Sequence, residues 1–190
     1  VLRDALDTVR QDAEEKNLVL TLALHAPSRT VWGDKVRLQQ VFWNLIKNAV
    51  KFTPEYGAIV VSTALGPEPG MVTIRVSDNG MGMTLEEQQR VFEAFAQGEH
   101  AMQGGSHRYG GLGLGLTITR MLVELHEGGI PAMSEGRGHG TSFVITLPLV
   151  KVKGYADGEN TDEVEGEAAL AGQRGATAAP GVWRRILLVG

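Results

Sequence analysis

The sequence predicts an α/β domain, and two kinds of pattern support that prediction. A long segment from Asp34 to Phe52 repeats apolar residues with the period of a helix, and a second helical segment follows residue 115. Between them, residues 59–65 and 71–78 alternate apolar and polar side chains as strands do. The chain is 43% hydrophobic, which is enough to bury a substantial core. The mixture therefore predicts a sheet covered by helices.

Composition narrows the range of partners. The chain has 190 residues, which suggests one domain and an additional segment. Its net charge of −4 argues against binding to nucleic acid or to an anionic membrane surface, since both favour a basic surface. Cysteine is absent, so disulfides and cysteine-bound zinc are excluded. No apolar run approaches the roughly 18 residues that a bilayer-spanning helix requires.

The N-terminal elements are a helix and a strand. Residues 1–16 place apolar residues on one stripe of an otherwise charged helix, which Asn17 ends. Residues 18–24 predict a strand, and Val31 and Trp32 a second, short one.

The long helix is predicted to begin after Asp34 as N-cap and to end before Thr53 and Pro54. Asn44, Asn48 and Lys51 share one stripe beside its buried face. Amide oxygens suit a hard cation and the lysine suits a phosphate, although a solvated polar face is the simpler interpretation of two asparagines alone. The buried face is predicted to consist of Leu38, Val41, Phe42, Leu45, Ile46, Ala49 and Val50.

A carboxylate closes the strand at 71–78. Asp78 is followed by Asn79-Gly80-Met81-Gly82, so one charged acceptor lies at the rim of the sheet beside flexible backbone. Asp78 is predicted to accept a hydrogen bond from a ligand's amino group, and Gly80 and Gly82 to let a flat ligand approach the main chain. The alternative is a polar turn after an edge strand.

A glycine-rich loop precedes the second helix. Thr84 is predicted to cap a short helix, after which Phe92 and Phe95 are either core anchors or part of a site. Residues 96–110 lose periodicity, which is typical of a functional lid or of disorder. They lead into Gly111-Leu112-Gly113-Leu114-Gly115-Leu116, where backbone N–H groups at a helix start predict a phosphate cradle. A Rossmann motif is disfavoured, because a polar loop and not a buried strand precedes these glycines.

The C-terminal part divides into three segments. Residues 130–133 and 143–147 predict a last hairpin. Residues 151–182 are rich in glycine, alanine and acidic side chains and are predicted to be a flexible linker. Residues 183–190 contain a short apolar run, which predicts the first strand of a further, incomplete domain.

Five motifs in this order resemble those of sensor histidine kinases, and the match covers residues 1 to about 150. Four are similar to the family's N, G1, F and G2 boxes and the fifth to its final glycine motif: Asn44–Pro54, Asp78–Met83, Phe92–Phe95, Gly111–Leu116 and Gly138–Phe143. The resemblance implies the catalytic, ATP-binding domain over 1–150. It also implies a two-layer α/β sandwich of the Bergerat (GHKL) type, with a mixed sheet under three helices.

The resemblance also implies roles for individual residues. Asp78 would bind the adenine amino group, Asn48 would hold Mg²⁺ with Asn44 beside it, and Lys51 would meet the phosphates of ATP, which makes Asn44, Asn48 and Lys51 the catalytic set. Arg108 would add a phosphate contact. Further nucleotide contacts are implied for Phe52, Gly80, Gly82, Met83, Gly111, Leu112, Gly113, Leu114, Gly115, Leu116 and Thr141, and residues 96–110 would form the ATP lid.

One position separates kinases from hydrolases. Hydrolysing members of the superfamily carry a glutamate where this chain has Asn44, and an amide takes no proton at neutral pH. Asn44 therefore favours phosphoryl transfer to a partner over an ATPase of the gyrase type. A degenerate domain that only binds nucleotide is the other alternative, and the intact motif set argues against it.

The remaining implications concern partners. The phosphoacceptor would be a histidine on a dimerisation domain absent from this chain, from which residues 1–16 would continue. His126 has the spacing H-E-x-x-x-P of an acceptor, which we interpret as coincidence. Residues 183–190 resemble the opening of a receiver domain, as in hybrid kinases, although Gly190 stands where an acidic residue usually follows. A homodimeric, cytoplasmic protein with no nucleic-acid partner and no direct membrane contact is implied.

Overall fold

The structure, a computed structural model, describes residues 1–26, 30–94, 113–150 and 183–188. In these residues the helices are α1 (Leu2–Thr8), α2 (Arg10–Glu15), α3 (Lys35–Phe52), α4 (Leu85–Arg90) and α5 (Gly115–Leu125). The strands are β1 (Val19–Leu24), β2 (Thr30–Asp34), β3 (Ala58–Leu65), β4 (Met71–Asp78), β5 (Ala132–Met133), β6 (Thr141–Pro148) and β7 (Trp183–Leu187). None of these helices combines the length and the hydropathy needed to cross a membrane.

Five strands form one mixed sheet in the order β1-β3-β4-β6-β5. β1 runs parallel to β3, and the other neighbouring pairs are antiparallel. β2 and β7 form a separate two-stranded antiparallel sheet. The predicted α/β fold with a mixed sheet and helices is confirmed.

Helix α3 is the centre of the helical layer. It begins as predicted, because the Asp34 carboxylate accepts from the backbone N–H groups of Val36 at 2.9 Å and Arg37 at 3.2 Å. It packs against both α1 and α5. All seven residues of its predicted buried face are buried. They share a core with apolar side chains of the sheet, among them Ile59, Val61, Val72, Ile74, Val76, Ile145 and Leu147.

The N-terminal helix differs from its prediction. The single helix expected over residues 1–16 is broken at Val9, where φ is −105° and ψ is 2°. The side chain of Val9 stays buried in the core, so the break changes the course of the backbone without removing Val9 from the apolar face.

The C-terminal strand packs on this same domain. β7 pairs with β2, from Asp34 opposite Trp183 to Thr30 opposite Leu187. Leu188 is fully buried, and its carbonyl oxygen accepts from the backbone N–H of Leu2 at 2.9 Å. The strand itself agrees with the prediction. Its membership of a further domain stays a prediction, and the predicted linker at 151–182 lies outside the described residues.

Candidate functional site

The carboxylate of Asp78 lies half-buried at the end of β4. Its Oδ1 atom accepts from the backbone N–H of Gly80 at 2.9 Å and of Thr141 at 3.3 Å. Burial raises the pKa of Asp78, and these two hydrogen bonds partly oppose that rise. Among the described residues, Oδ2 has no hydrogen-bond donor. One oxygen is therefore held by the protein while the other can accept from a ligand.

The glycines after Asp78 are required by the fold itself. A Cβ at Gly80 would collide with the carbonyl oxygen of Phe52, which also accepts from the backbone N–H of Met81 at 3.1 Å. Gly82 has a φ of +64° and packs against the carbonyl group of Gly136. The contacts with Phe52 place the loop against the end of α3. The role of both glycines in admitting a flat ligand stays a prediction.

Sequence reasoning missed the anchor of this loop. The Ser134 hydroxyl accepts from the backbone N–H of Met83 at 2.9 Å and donates to the carbonyl oxygen of Gly140 at 2.6 Å. The side-chain amide of Gln88 pairs with both the N–H and the carbonyl oxygen of Ser134, at 3.0 and 2.9 Å. Gln88 and Ser134 are 46 residues apart in the chain. No local pattern indicates such a pair.

Asn44 joins helix α3 to helix α5. Its Nδ2 atom donates to the carbonyl oxygen of Gly115 at 2.9 Å and to the hydroxyl of the buried Thr119 at 3.2 Å. Gly115 is the first residue of α5, and Gly113, two residues before it, has a φ of +69°. Leu114 is the N-cap residue, and Leu116 packs on the core. The structure thus brings the N and G2 motifs together.

Asn48 and Lys51 continue the same stripe of α3. Both are half-buried, and in the part of the chain that the structure describes the Asn48 side chain has no hydrogen-bond partner. The Lys51 Nζ atom lies 4.7 Å from the ring centroid of Phe52, and burial lowers the pKa of Lys51. Phe52 is 43% exposed at the end of the helix. It lies beside residues 79–83, which follow Asp78 and are called the Asp78 loop below.

Helix α3 therefore connects the two ends of the candidate site. Its last residue, Phe52, contacts the loop after Asp78, and Asn44 contacts the start of α5. Asn44 and Phe52 are eight positions apart, which corresponds to about 12 Å of helix rise. Asn48 and Lys51 lie between them. The predicted metal ligand is thus on α3, while the loop after the predicted adenine contact Asp78 lies beside the end of α3 and Gly115 of the predicted phosphate cradle beside its middle.

His126 is unsuited to accept a phosphoryl group. It is 3% exposed, and its Nε2 atom accepts from the backbone N–H of Asp34 at 3.0 Å. Nδ1 lies 2.7 Å from the carbonyl oxygen of Leu122 and is therefore the protonated nitrogen. Both ring nitrogens are occupied, which agrees with the interpretation of its acceptor-like spacing as coincidence.

The described residues contain only part of the F and G2 motifs. Arg108, Gly111, Leu112 and the proposed lid at 96–110 lie outside the described residues, as does Phe95. Phe92 makes an edge contact with Phe143 at a centroid distance of 6.1 Å, so this first aromatic of the F motif packs on the core.

Comparison with known proteins identifies the family. Residues 33–151 match the family model described as histidine kinase-, DNA gyrase B- and HSP90-like ATPase. The chain belongs to this family. The matched residues contain α3, the Asp78 loop and α5, which are the elements that form the candidate site.

Its relatives are sensor kinases. The chain is 34% identical over 165 residues to hybrid signal transduction histidine kinase D of Dictyostelium discoideum, covering 75% of this chain and 10% of that protein. It is 40% identical over 127 residues to the autoinducer 2 sensor kinase/phosphatase LuxQ of Vibrio harveyi, covering 65% and 14%. The chain thus spans about a tenth to a seventh of these relatives.

A solved structure shows the same fold. The chain matches the crystal structure of full-length ShkA in complex with AMPPNP with a TM-score of 0.66 and 31% identity, covering 77% of this chain and 29% of that one. The predicted family, fold and type of domain, that of the ATP-binding part of sensor histidine kinases, are confirmed.

Proposed function

We propose that this chain binds ATP with Mg²⁺ and presents the γ-phosphate to a histidine on a separate dimerisation domain. The observation that carries the proposal is the position of α3, whose end contacts the Asp78 loop while Asn44 contacts the start of α5. A nucleotide lying along this helix would have its base at one end and its phosphates toward the other.

Asp78 is suited to select adenine. Its Oδ1 is fixed by two backbone donors, which leaves Oδ2 as an acceptor for the exocyclic amino group. A hydrogen bond to a charged group contributes roughly 1.5 to 3 kcal/mol. Guanine presents an acceptor at the equivalent position and would be repelled, so the carboxylate discriminates between the two bases.

The residues along α3 fit a magnesium ion bound together with phosphates. Asn48 offers an amide oxygen that no described residue uses, and amide oxygens are ligands for hard cations. The described residues contain no cluster of three or more His, Cys, Asp or Glu side chains that could hold a metal. Asn48 and the phosphate oxygens would therefore share the ion. When bound, Mg²⁺ neutralises charge on the phosphates.

The site lacks a base for hydrolysis at the position where hydrolysing relatives carry a glutamate. Asn44 cannot accept a proton from water, and its amide already donates to Gly115 and Thr119. His126, which has the acceptor-like spacing, is buried with both ring nitrogens bonded. Both observations support a nucleophile that is supplied by another domain.

The proposed partners follow from the placement of ATP binding and of the phosphoacceptor histidine on different domains. The phosphoacceptor domain would precede residue 1, and a receiver domain, in the same chain or separate, would accept the phosphate from it. We also propose that the protein acts in the cytoplasm, where ATP is available, as a homodimer without direct membrane or nucleic-acid contact from this domain.

Two measurements, one on residues 1–190 and one on the full-length protein, test the proposal. Calorimetry on residues 1–190 with ATP and Mg²⁺ should show saturable binding, and GTP should bind at least tenfold more weakly. The full-length protein should form phosphohistidine outside residues 1–190. A chain that is folded but does not bind ATP contradicts the proposal, as does phosphohistidine at His126.

A further inference from the structure

Lys16 makes an unusual set of contacts in the turn between α2 and β1. Its Nζ atom donates to the backbone carbonyl oxygens of Val50 at 2.7 Å, Lys51 at 3.2 Å and Thr53 at 2.5 Å. An ammonium group has three donors, and all three are matched. The last carbonyls of a helix have no partner within it, so Lys16 satisfies the end of α3 from 34 to 37 residues away.

The carbonyl oxygen of Phe52, to which Lys16 does not donate, is bound by the Asp78 loop. Phe52 lies between Lys51 and Thr53, and its carbonyl oxygen accepts from the backbone N–H of Met81 at 3.1 Å. The end of α3 is thus shared between Lys16 and the loop that follows Asp78. Displacing this helix end would displace the loop as well.

The surroundings favour a charged, fixed side chain at position 16. A cation at a helix C-terminus interacts favourably with the helix dipole. The backbone carbonyl oxygen of Lys16 also accepts from the N–H of Tyr56 at 3.0 Å, which attaches the turn to the segment after α3. Burial lowers the pKa of Lys16, and the nearby Glu55 opposes this.

We propose that Lys16 is a positioning residue for the nucleotide site, acting through the end of α3 on Lys51 and on the Asp78 loop. The inference rests on the proposed function, because it assumes that these groups bind ATP. Lys16 belongs to no motif of the site and precedes the matched family region. It sets where the Lys51 backbone and the Met81 N–H lie relative to each other.

The test compares two variants. Lys16→Met keeps roughly the length of the side chain but removes its charge, and Lys16→Arg keeps the charge and several hydrogen-bond donors. Lys47→Met is the matched control, since Lys47 is an exposed lysine of α3 that lies over Trp43 and away from the helix end. All are made in residues 1–190. We expect Lys16→Met to weaken ATP binding roughly tenfold, Lys16→Arg to restore most of it and Lys47→Met to leave it unchanged.

A second readout is independent of ATP. In the ligand-free chain, the NMR amide resonances of Gly80 and Met81 should shift in Lys16→Met and not in Lys47→Met. A purely stabilising role would lower the melting temperature without moving these resonances. Should Lys16→Met fail to fold, Lys16→Gln is measured in its place.

The outcomes separate the two proposals. A folded Lys16→Met or Lys16→Gln chain with wild-type ATP affinity and unshifted Gly80 and Met81 resonances overturns the role of Lys16. A wild-type chain that does not bind ATP overturns the proposed function instead. The amide resonances then still show whether Lys16 positions the loop.

Discussion

The side-chain nitrogen of Asn44 donates to the backbone carbonyl oxygen of Gly115, with 2.9 Å between the two atoms. This bond joins the middle of α3 to the first residue of α5, and a second bond from the same nitrogen to Thr119 fixes the amide. Position 44 thus needs a hydrogen-bond donor. Among residues of this size only an amide supplies it without adding charge.

Replacing Asn44 by aspartate should destabilise the domain. The carboxylate would face the Gly115 carbonyl oxygen and could not donate to it, which leaves a half-buried acceptor without its partner. We expect Asn44→Asp to lower the free energy of unfolding by roughly 1 to 3 kcal/mol, measured by urea denaturation at neutral pH.

Asn48→Asp is the matched control, since Asn48 lies one helical turn further along α3 and has no hydrogen-bond partner among the described residues. It should change stability much less than Asn44→Asp. Equal losses in the two variants would show that the bond to Gly115 contributes little.

The carboxylate of Asp78 should be essential for ATP binding. In Asp78→Asn the backbone contacts to Gly80 and Thr141 can persist, but the charged acceptor for the adenine amino group is lost. We expect the affinity for ATP to fall roughly 10- to 100-fold, measured by calorimetry, while the circular dichroism spectrum is unchanged. The exposed Asp12 provides the control Asp12→Asn, which should bind normally. Wild-type affinity in Asp78→Asn would contradict the adenine assignment.

The same residue should make stability depend on pH. Burial raises the folded-state pKa of Asp78, so the folded chain holds this proton over a pH range in which the unfolded chain has lost it. The stabilising contribution of Asp78 to the free energy of unfolding is therefore fully present at low pH, and it is lost as the pH rises through the folded-state pKa. Asp78→Asn has no such titration.

We therefore compare the free energy of unfolding of Asp78→Asn with that of the wild type at two pH values. The difference, variant minus wild type, should be more positive at neutral pH than near pH 4. The lower value is close to the ordinary pKa of an aspartate, about 3.9. Denaturation curves of both proteins across this range measure the difference. A difference in stability that is constant with pH, or that increases toward acid, would show that burial does not raise the pKa of Asp78.

The elements of the fold that were predicted correctly are those with local signals. Helix α3 has its N-cap Asp34 at one end and Thr53-Pro54 at the other, and its apolar period runs between them. The hairpin of β3 and β4 and the cap at Thr84 were likewise predicted from neighbouring residues. Asp78, Asn44 and Gly115 were singled out as candidates by local signals: a carboxylate that closes a strand, an asparagine inside a helix and a glycine run before a helix. Their roles in binding stay predictions.

What the sequence did not reveal depends on contacts between distant residues. Lys16 follows a helix like many other lysines, and its acceptors lie 34 to 37 residues further on. Ser134 and Gln88 form their pair across 46 residues. The docking of β7 on β2 likewise depends on an edge that only the folded chain presents. Local periodicity carries no information on such pairs.

Finally, ATP should be hydrolysed very slowly by this chain. Hydrolysis needs a group that accepts a proton from the attacking water, and position 44 offers only an amide whose nitrogen is bound to Gly115 and Thr119. We expect steady-state turnover far below about 1 per second, the lower end of typical enzyme rates, measured by phosphate release with ATP and Mg²⁺ at saturation. Calorimetry on the same sample controls for binding. Turnover near 1 per second that is lost in Asp78→Asn would mean that another residue serves as base, and the argument from Asn44 against hydrolysis would fail.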